Sequence, residues 1–257
     1  MSLSAEAWLV LLALAIYVYD AALLLNSNEF VGVRVGRNGW RCRFGANGWK
    51  LNGREPWWPN LLMPWREAVL VHWSFEEVPH EAIEPEEGAR ADGMHELAAP
   101  AAIVKPSTKT CVATLLALIF LALPFCLFVY SALWLTVCVA GLIYGLAILI
   151  MILLHSQRIE IGLKKERFWK LCVECVACPP LAINAIRKAT LGVDATTSAA
   201  VFAEWISDEA ELREMKHQMV VRVREQMDFE AEGSERMTRL AAVAVALAPE
   251  RPLETMS

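Results

Sequence analysis

No lysine or arginine occurs before Arg34, and no Asp, Glu, Lys, Arg or His occurs between Cys111 and Leu154. The first absence argues against a cleaved secretory signal peptide, which requires a basic region ahead of its apolar core. The second absence leaves about forty consecutive apolar residues, and a hydrocarbon core of ~30 Å is crossed by roughly 20 helical residues. We therefore predict a transmembrane hairpin of two helices over residues 111–155, with a kink at Pro124.

The sequence also lacks the short motifs of common catalytic sites: it has no Gly-rich phosphate loop, no His-Glu-x-x-His and no Gly-x-Ser-x-Gly. Its five histidines are scattered along the chain. Its seven cysteines show no spacing typical of a disulfide framework, and two of them, Cys126 and Cys138, lie within the apolar helices of the predicted hairpin. We therefore expect a protein without enzymatic activity and without a cofactor.

An earlier apolar run, from Ala5 to Leu25, is interrupted only by Glu6 and Asp20. It is long enough to cross a bilayer. We predict an uncleaved transmembrane helix over residues 1–25.

Lysine and arginine cluster after this helix and again after the hairpin, at Arg34, Arg37, Arg41, Arg43, Arg158, Lys164, Lys165, Arg167 and Lys170. Basic residues near helix ends stay on the cytoplasmic side, so the N-terminus is expected outside and residues 26–110 and 156–257 in the cytoplasm. The expected fold is a mainly α-helical membrane protein with three transmembrane helices, placed in a bacterial-type cytoplasmic (inner) membrane.

Residues 26–75 change from a helical to a two-residue periodicity, which indicates β-strands. Two Asn-Gly pairs, Asn38-Gly39 and Asn47-Gly48, are strong signals for hairpin turns because both residue types tolerate positive φ. We predict a small cytoplasmic module with a three-stranded antiparallel meander and a fourth strand within residues 68–75. Residues 76–110 are acidic and contain several prolines, so we predict a flexible linker there.

The predicted register gives the meander an apolar side and a basic side. A turn at Asn38-Gly39 sets Arg34 opposite Arg43, which costs stability unless an anion lies nearby. Lipid headgroups would supply that anion. The hypothesis is a membrane-surface contact made by Arg34, Arg41, Arg43, Lys50, Trp57, Trp58 and Trp65. The alternative is that the tryptophans are the core of the sheet and the arginines are solvated; the basic side is too small to indicate nucleic acid.

The C-terminal region, residues 156–257, is predicted to be a helical tail. A long helix is expected to start near Ser207, and Ser234 is expected to cap a final helix. One face of the long helix carries Leu212, Met215, Met219, Val223 and Met227. We expect this face to dock on a protein partner.

Cys172, Cys175 and Cys178 form a Cys-x-x-Cys-x-x-Cys run, a spacing at which thiolates can hold a metal or an iron–sulfur cluster. The intervening residues favour a helix, on which positions three apart share a face instead of surrounding an ion. No cysteine follows the third one. We expect small apolar packing here, with a metal site as the weaker alternative.

Asp20 and His155 fall at the same end of their predicted crossings. An ionisable residue inside a membrane is costly, so the pair serves either ion or proton traffic or an interfacial structural contact. Gly141 and Gly145 form a Gly-x-x-x-Gly pattern, which allows close packing against the first helix or a second copy of the chain.

Most of the sequence outside the predicted membrane helices forms one β module and one amphipathic tail. We therefore expect a scaffold, assembly factor or accessory subunit that holds a protein partner at the cytoplasmic membrane face. Two other classes stay open: a small oligomeric transporter or channel that uses Asp20 and His155, and a thiol or metal protein that uses the three spaced cysteines.

Overall fold

The computed structural model describes residues 5–35, 39–46, 50–75, 104–130, 133–191, 197–206 and 208–247. The chain forms two compact units, each assembled from separate stretches of sequence. The helical unit comprises Met1–Leu23, Trp58–Val69 and His95–Ala195; the mixed unit comprises Leu24–Trp57, Leu70–Met94 and Thr196–Ser257. The tail predicted at 156–257 is thus divided between the two units. Of the linker predicted at 76–110, residues 76–103 lie outside the described residues.

The helical unit contains α1 (Ala5–Ala21), α2 (Pro106–Tyr130), α3 (Leu133–Ser156), α4 (Arg158–Ile161), α5 (Lys165–Ala177), α6 (Pro179–Ala182) and α7 (Ala185–Leu191). Gly162, with a φ of 76°, ends α4 in the left-handed conformation that glycine adopts without strain. The rings of His155 and Phe168 lie 5.0 Å apart, so the start of α5 packs beside the last turn of α3.

Two helices, α2 and α3, are long and apolar enough to cross a membrane, judged by length and composition. They have 25 and 24 residues, and only 22% and 33% of the residues in their most apolar stretches are buried. Two apolar helices therefore occupy the region of the predicted hairpin, although α2 begins at Pro106 and not at Cys111, because proline is favoured in the first turn of a helix. Helix α1 has 17 residues, fewer than the roughly 20 that a crossing needs, so the third predicted crossing is not confirmed.

Pro124 disturbs the hydrogen bonding of α2. Proline has no amide hydrogen, and its ring clashes with the carbonyl one turn earlier. The helix widens into π-helical turns at Leu118–Ala122 and Cys126–Tyr130, on either side of the short α-helical segment that holds Pro124. Wider turns are a common way for a helix to absorb such a mismatch.

The mixed unit carries most of the β-structure. Its strands are β1 (Leu23–Leu25), β2 (Glu29–Val35), β3 (Gly39–Arg43), β4 (Glu55–Trp57), β5 (Ala68–His72) and β6 (Thr197–Ser198), where β1 and β5 begin at the boundary with the helical unit. One sheet has the order β3-β2-β5-β6, and β1 pairs with β4 in a second, two-stranded sheet. The predicted fourth strand is present as β5. It pairs with β6 in parallel, which the antiparallel prediction did not include.

The β2–β3 hairpin is antiparallel as predicted, but its register is different. Val35 pairs with Gly39, and Arg34 is opposite Trp40, where the prediction placed it opposite Arg43. This register keeps the buried Trp40 and Cys42 on one side of β3 and gives Arg34 an aromatic neighbour, with its guanidinium carbon 5.8 Å from the Trp40 ring. The like-charge contact that motivated the lipid hypothesis is therefore not formed.

A third Asn-Gly pair, Asn52-Gly53, makes a tight turn that was not predicted, and the turn predicted at Asn47-Gly48 lies outside the described residues. The φ values of Asn52 and Gly53 are 52° and 79°, and Leu51 and Arg54 exchange backbone hydrogen bonds of 2.8 and 3.1 Å across this turn. Positive φ at both central positions is the condition that favours Asn-Gly. Leu51 pairs only with Arg54, in an isolated bridge, so the third strand of the predicted meander is not present among the described residues.

Helices α8 (Ala199–Trp205), α9 (Glu209–Met227) and α10 (Glu235–Leu247) complete the mixed unit. Asp208 caps α9 by accepting a 2.9 Å hydrogen bond from the Ala210 amide, one residue after the predicted start. Ser234 caps α10 as predicted, because its hydroxyl accepts a 3.1 Å hydrogen bond from the Met237 amide.

The apolar face of α9 is largely covered by the chain itself. Met215, Met219 and Val223 are buried, and only the ends of the face, Leu212 and Met227, are partly exposed. Helix α10 packs on α9 within the same unit. The middle of the predicted docking face therefore belongs to the interior of this unit.

Candidate functional site

Four polar side chains meet at the end of α1 in the helical unit. Lys188 Nζ lies 2.5 Å from Asp20 Oδ1 and 3.1 Å from Glu174 Oε2, and Asn184 Nδ2 donates a 2.9 Å hydrogen bond to Asp20 Oδ2. We call these residues the Asp20 cluster. They join the last turn of α1 to α5 and α7, so the cluster ties three helices together at one end of the unit.

Local sequence explains how the partners are positioned. Pro179 and Pro180 begin α6, since proline fits the first turn of a helix. The short helix is followed by a turn that holds Asn184, and α7 then places Lys188 one helical turn further on. Glu174 lies in the last turn of α5, where it faces this lysine.

Next to the cluster, Arg187 is buried on α7 and its Nη1 atom has no hydrogen-bond partner among the described atoms. Burial lowers the pKa of Arg187 from its ordinary value, and the neighbouring Tyr17 and Asp20 oppose that shift. The Tyr17 hydroxyl itself donates to the Leu61 carbonyl at 2.5 Å. This part of the unit is polar although it is closed to solvent.

Burial acts to lower the pKa of Lys188, but the hydrogen bonds and negative charges of Asp20 and Glu174 outweigh it and raise the pKa above the ordinary value of 10.5. Lys188 is therefore fully protonated near neutral pH. A lysine held in this state is an ion-pair partner and not a general base.

A pocket of about 240 Å³ opens beside the cluster. Its walls come from α5, α7 and the segments next to them, and its lining is Leu23, Leu163, Arg167, Lys170, Leu171, Glu174, Lys188 and Leu191. This volume is below the ~300 Å³ typical of the smallest drug-sized sites. The pocket suits a small anionic group with some apolar surface.

The predicted pair of Asp20 and His155 is not formed. Asp20 is paired with Lys188, whereas His155 is exposed and lies beside the rings of Phe168 and Trp169, at 5.0 and 6.5 Å. The sequence could not give the distance between these two helix ends. The contact between Asp20 and His155 is therefore not formed in this chain, and the transporter alternative stays a prediction.

The predicted membrane-surface residues are divided between the two units. Trp58 and Trp65 belong to the helical unit, while Trp57 is buried in the mixed unit. Basic residues of the predicted contact are paired within the mixed unit: Arg41 and Arg43 lie 3.9 and 3.5 Å from Glu211, Lys50 lies 3.7 Å from Glu225, and Arg34 lies over Trp40. Arg41, Arg43 and Lys50 thus have acidic partners on α9, and their contact with lipid stays a prediction.

Gly141 and Gly145 lie on an exposed face of α3. A Cβ atom at either position would meet no described atom within 4 Å. The Gly-x-x-x-Gly pattern therefore does not pack α3 against α1 in this chain. Packing against a second copy stays a prediction.

The three spaced cysteines lie along one helix and at its end, as predicted. Cys172 and Cys175 lie on α5 and Cys178 follows its end. Among the described residues, no group of three or more His, Cys, Asp or Glu side chains is arranged to hold a metal ion. Burial raises the pKa of Cys175 to about 12, with smaller contributions from the surrounding charges.

We expect Cys175 to resist alkylation at pH 8 in the folded protein, because the thiolate is the reactive form and the thiol is fully buried. Half-buried Cys178 serves as the internal reference and is expected to be modified first. Peptide mass spectrometry after timed treatment with N-ethylmaleimide measures both rates. Equal rates in the folded protein would contradict the expectation, and denaturant should make the two equal.

Sequence reasoning missed Glu174, Asn184 and Lys188, which complete the cluster. It also missed a buried ion pair in the mixed unit. There, Arg222 Nη2 lies 2.5 Å from Glu55 Oε2, and the two side chains are 1% and 3% exposed. A signal existed for Arg222, because it follows the buried positions Met215 and Met219 on α9 at helical spacing. Nothing in the sequence pointed to Glu55 as its partner.

Comparison of the chain with protein-family models, with curated proteins and with solved structures finds no match.

Proposed function

We propose that this protein is an integral membrane protein that acts as a non-enzymatic scaffold or accessory subunit and holds a partner protein at the cytoplasmic face. The observation that carries the proposal is the apolar surface of α2 and α3. Leu121, Leu133 and Trp134 are 70%, 80% and 70% exposed, and only 22% and 33% of the residues in the most apolar stretches of α2 and α3 are buried. Surfaces of this extent are stable in lipid or against another apolar surface, not in water.

Helix α1 belongs to the same membrane region in this proposal. Its exposed side chains include Trp8, Leu9 and Leu12, and its 17 described residues span about 26 Å at 1.5 Å per residue. A bilayer a few Å thinner than average accommodates such a helix at modest cost. The basic residues that follow α1 and α3 then favour an outside N-terminus and a cytoplasmic C-terminus.

The polar groups of the helical unit support a structural role. Lys188 pairs with the carboxylates of both Asp20 and Glu174, and its raised pKa keeps this lysine charged. The cluster is suited to fixing the ends of the helices and leaves the mixed unit as the part that a partner would contact.

Membrane residence and partner binding are tested separately. The protein should stay in the membrane pellet after sodium carbonate washing. A fluorescent protein fused to its C-terminus should lie in the cytoplasm and fluoresce there. Purification in a mild detergent should then yield a partner in constant ratio, beyond the background of an unrelated three-span protein treated identically. A monodisperse protein without a partner in several detergents would contradict the scaffold role while leaving membrane residence intact.

A further inference from the structure

The pocket beside the Asp20 cluster has an excess of positive charge. Arg167, Lys170 and Lys188 are in its lining together with the single carboxylate of Glu174, a net charge of +2. Lys188 is committed to Asp20 and Glu174. Arg167 and Lys170 are exposed, and neither has an ion pair in the part of the chain that the structure describes. Two cations are thus available to a ligand.

Helical geometry places these two cations on the same side of α5. Arg167 and Lys170 are three residues apart on α5, so their side chains share a face of the helix. The rest of the lining is leucine, including Leu171 and Leu191. The pocket therefore offers a charged rim and an apolar wall to the same ligand.

The pocket also lies close to the end of a long apolar helix. Phe168 and Trp169, which adjoin Arg167, pack beside His155 in the last turn of α3. Trp169 is 54% exposed. An exposed tryptophan next to basic residues at the end of an apolar helix is the arrangement found at the headgroup level of a bilayer.

We propose that this pocket binds the phosphate of an anionic phospholipid, with Arg167 and Lys170 contacting the phosphate and the leucine wall contacting the glycerol and the first acyl carbons. This inference rests on the membrane location proposed above. Basic pockets at the cytoplasmic ends of membrane helices bind such headgroups. Lys188 closes the inner side of the pocket while its ion pairs hold α5 and α7 in place.

The test uses the full-length protein in a mild nonionic detergent and follows its thermal unfolding with added lipid. Phosphatidylglycerol should raise the melting temperature more than phosphatidylcholine, which carries the same phosphate but no net charge. The double variant Arg167→Gln/Lys170→Gln should bind phosphatidylglycerol at least about tenfold more weakly, since each basic residue near the surface contributes to the attraction. Because both side chains are exposed, the variant should melt like the wild type without lipid.

The matched control is Lys105→Gln/Lys165→Gln, which removes the same charge at exposed positions outside the pocket. It should keep the lipid response. Equal responses to the two lipids in the wild type, or an equal loss in the control, would overturn the proposal. Competition by inorganic phosphate at the same concentration as the lipid would overturn the assignment to a phospholipid, because the acyl chains would then contribute nothing.

Carbonate washing of the same variants separates this inference from the function on which it rests. Wild type and variants should all stay in the membrane pellet. Release of the wild-type protein would contradict the membrane location itself. Retention without a preference for anionic lipid would contradict only the pocket.

Discussion

Replacement of Arg222 by methionine is expected to destabilise the mixed unit by about 3–5 kcal/mol, because it leaves the Glu55 carboxylate buried without a cation. Arg222 and Glu55 are 1% and 3% exposed, and their side chains are in direct contact. Hydrogen exchange of the β2–β3 and α9 amides measures the effect within this unit. Exchange should become roughly 10²- to 4 × 10³-fold faster, at 1.4 kcal/mol per factor of ten.

An exposed ion pair in the same unit is the matched control. Lys50 and Glu225 lie 3.7 Å apart and each is 42% exposed, so Lys50→Met should change stability by less than about 1 kcal/mol. The double variant Glu55→Gln/Arg222→Met should recover part of the loss, because no charge is then buried. Equal effects of Arg222→Met and Lys50→Met would contradict the importance given to burial.

Glu55 is held in place by its close neighbour Gly45. A Cβ atom at position 45 would lie 2.2 Å from the Cβ of Glu55, so only glycine allows this approach. The Ala46 amide also donates a 3.0 Å hydrogen bond to the Pro56 carbonyl. On the other side, the guanidinium carbon of Arg222 lies 4.5 Å from the centre of the Phe44 ring. These contacts explain why a buried charge pair is tolerated in this small unit.

The fold could be predicted where a pattern is local. The uncharged stretch that forms most of α2 and α3, the cap at Ser234 and the alternation in β5 each depend on neighbouring residues, and the structure contains all of them. The β2–β3 register failed because the prediction placed Gly39 in the turn, whereas Gly39 pairs with Val35 as the first residue of β3. An Asn-Gly pair indicates a turn, but it does not fix the length of the loop, and the register depends on that length.

The candidate site could be predicted only in part, because its residues are distant in sequence. Asp20 was recognised from the cost of a carboxylate in an apolar run. Its partners Asn184 and Lys188 lie more than 160 residues away, where neither stands out from its surroundings. The α9 face was recognised as apolar, but its pattern does not distinguish a partner protein from the interior of its own unit.

Replacement of Lys188 by methionine is expected to destabilise the helical unit by about 2–3 kcal/mol. Asp20 and Glu174 would lose their shared cation, and Asp20 is the more buried of the two, with 13% of its side chain exposed. The expected loss of stability is smaller than for a fully buried pair, because Glu174 is partly solvated. Hydrogen exchange of the α7 amides measures it, and alkylation of Cys175 should accelerate as the surrounding helices loosen.

The matched control for this change is Lys165→Met, an exposed lysine at the start of α5 outside the cluster, which should leave both readouts unchanged. Adding Asp20→Asn to Lys188→Met should recover part of the loss, because one of the two uncompensated carboxylates is removed. The pKa of Lys188 is raised above 10.5, so its contribution is complete below that pH and is lost as the pH rises through the higher value in the folded protein. The wild type should therefore lose stability relative to Lys188→Met only in this alkaline range; a constant difference up to the highest pH would show that the lysine acts through packing and not through its charge.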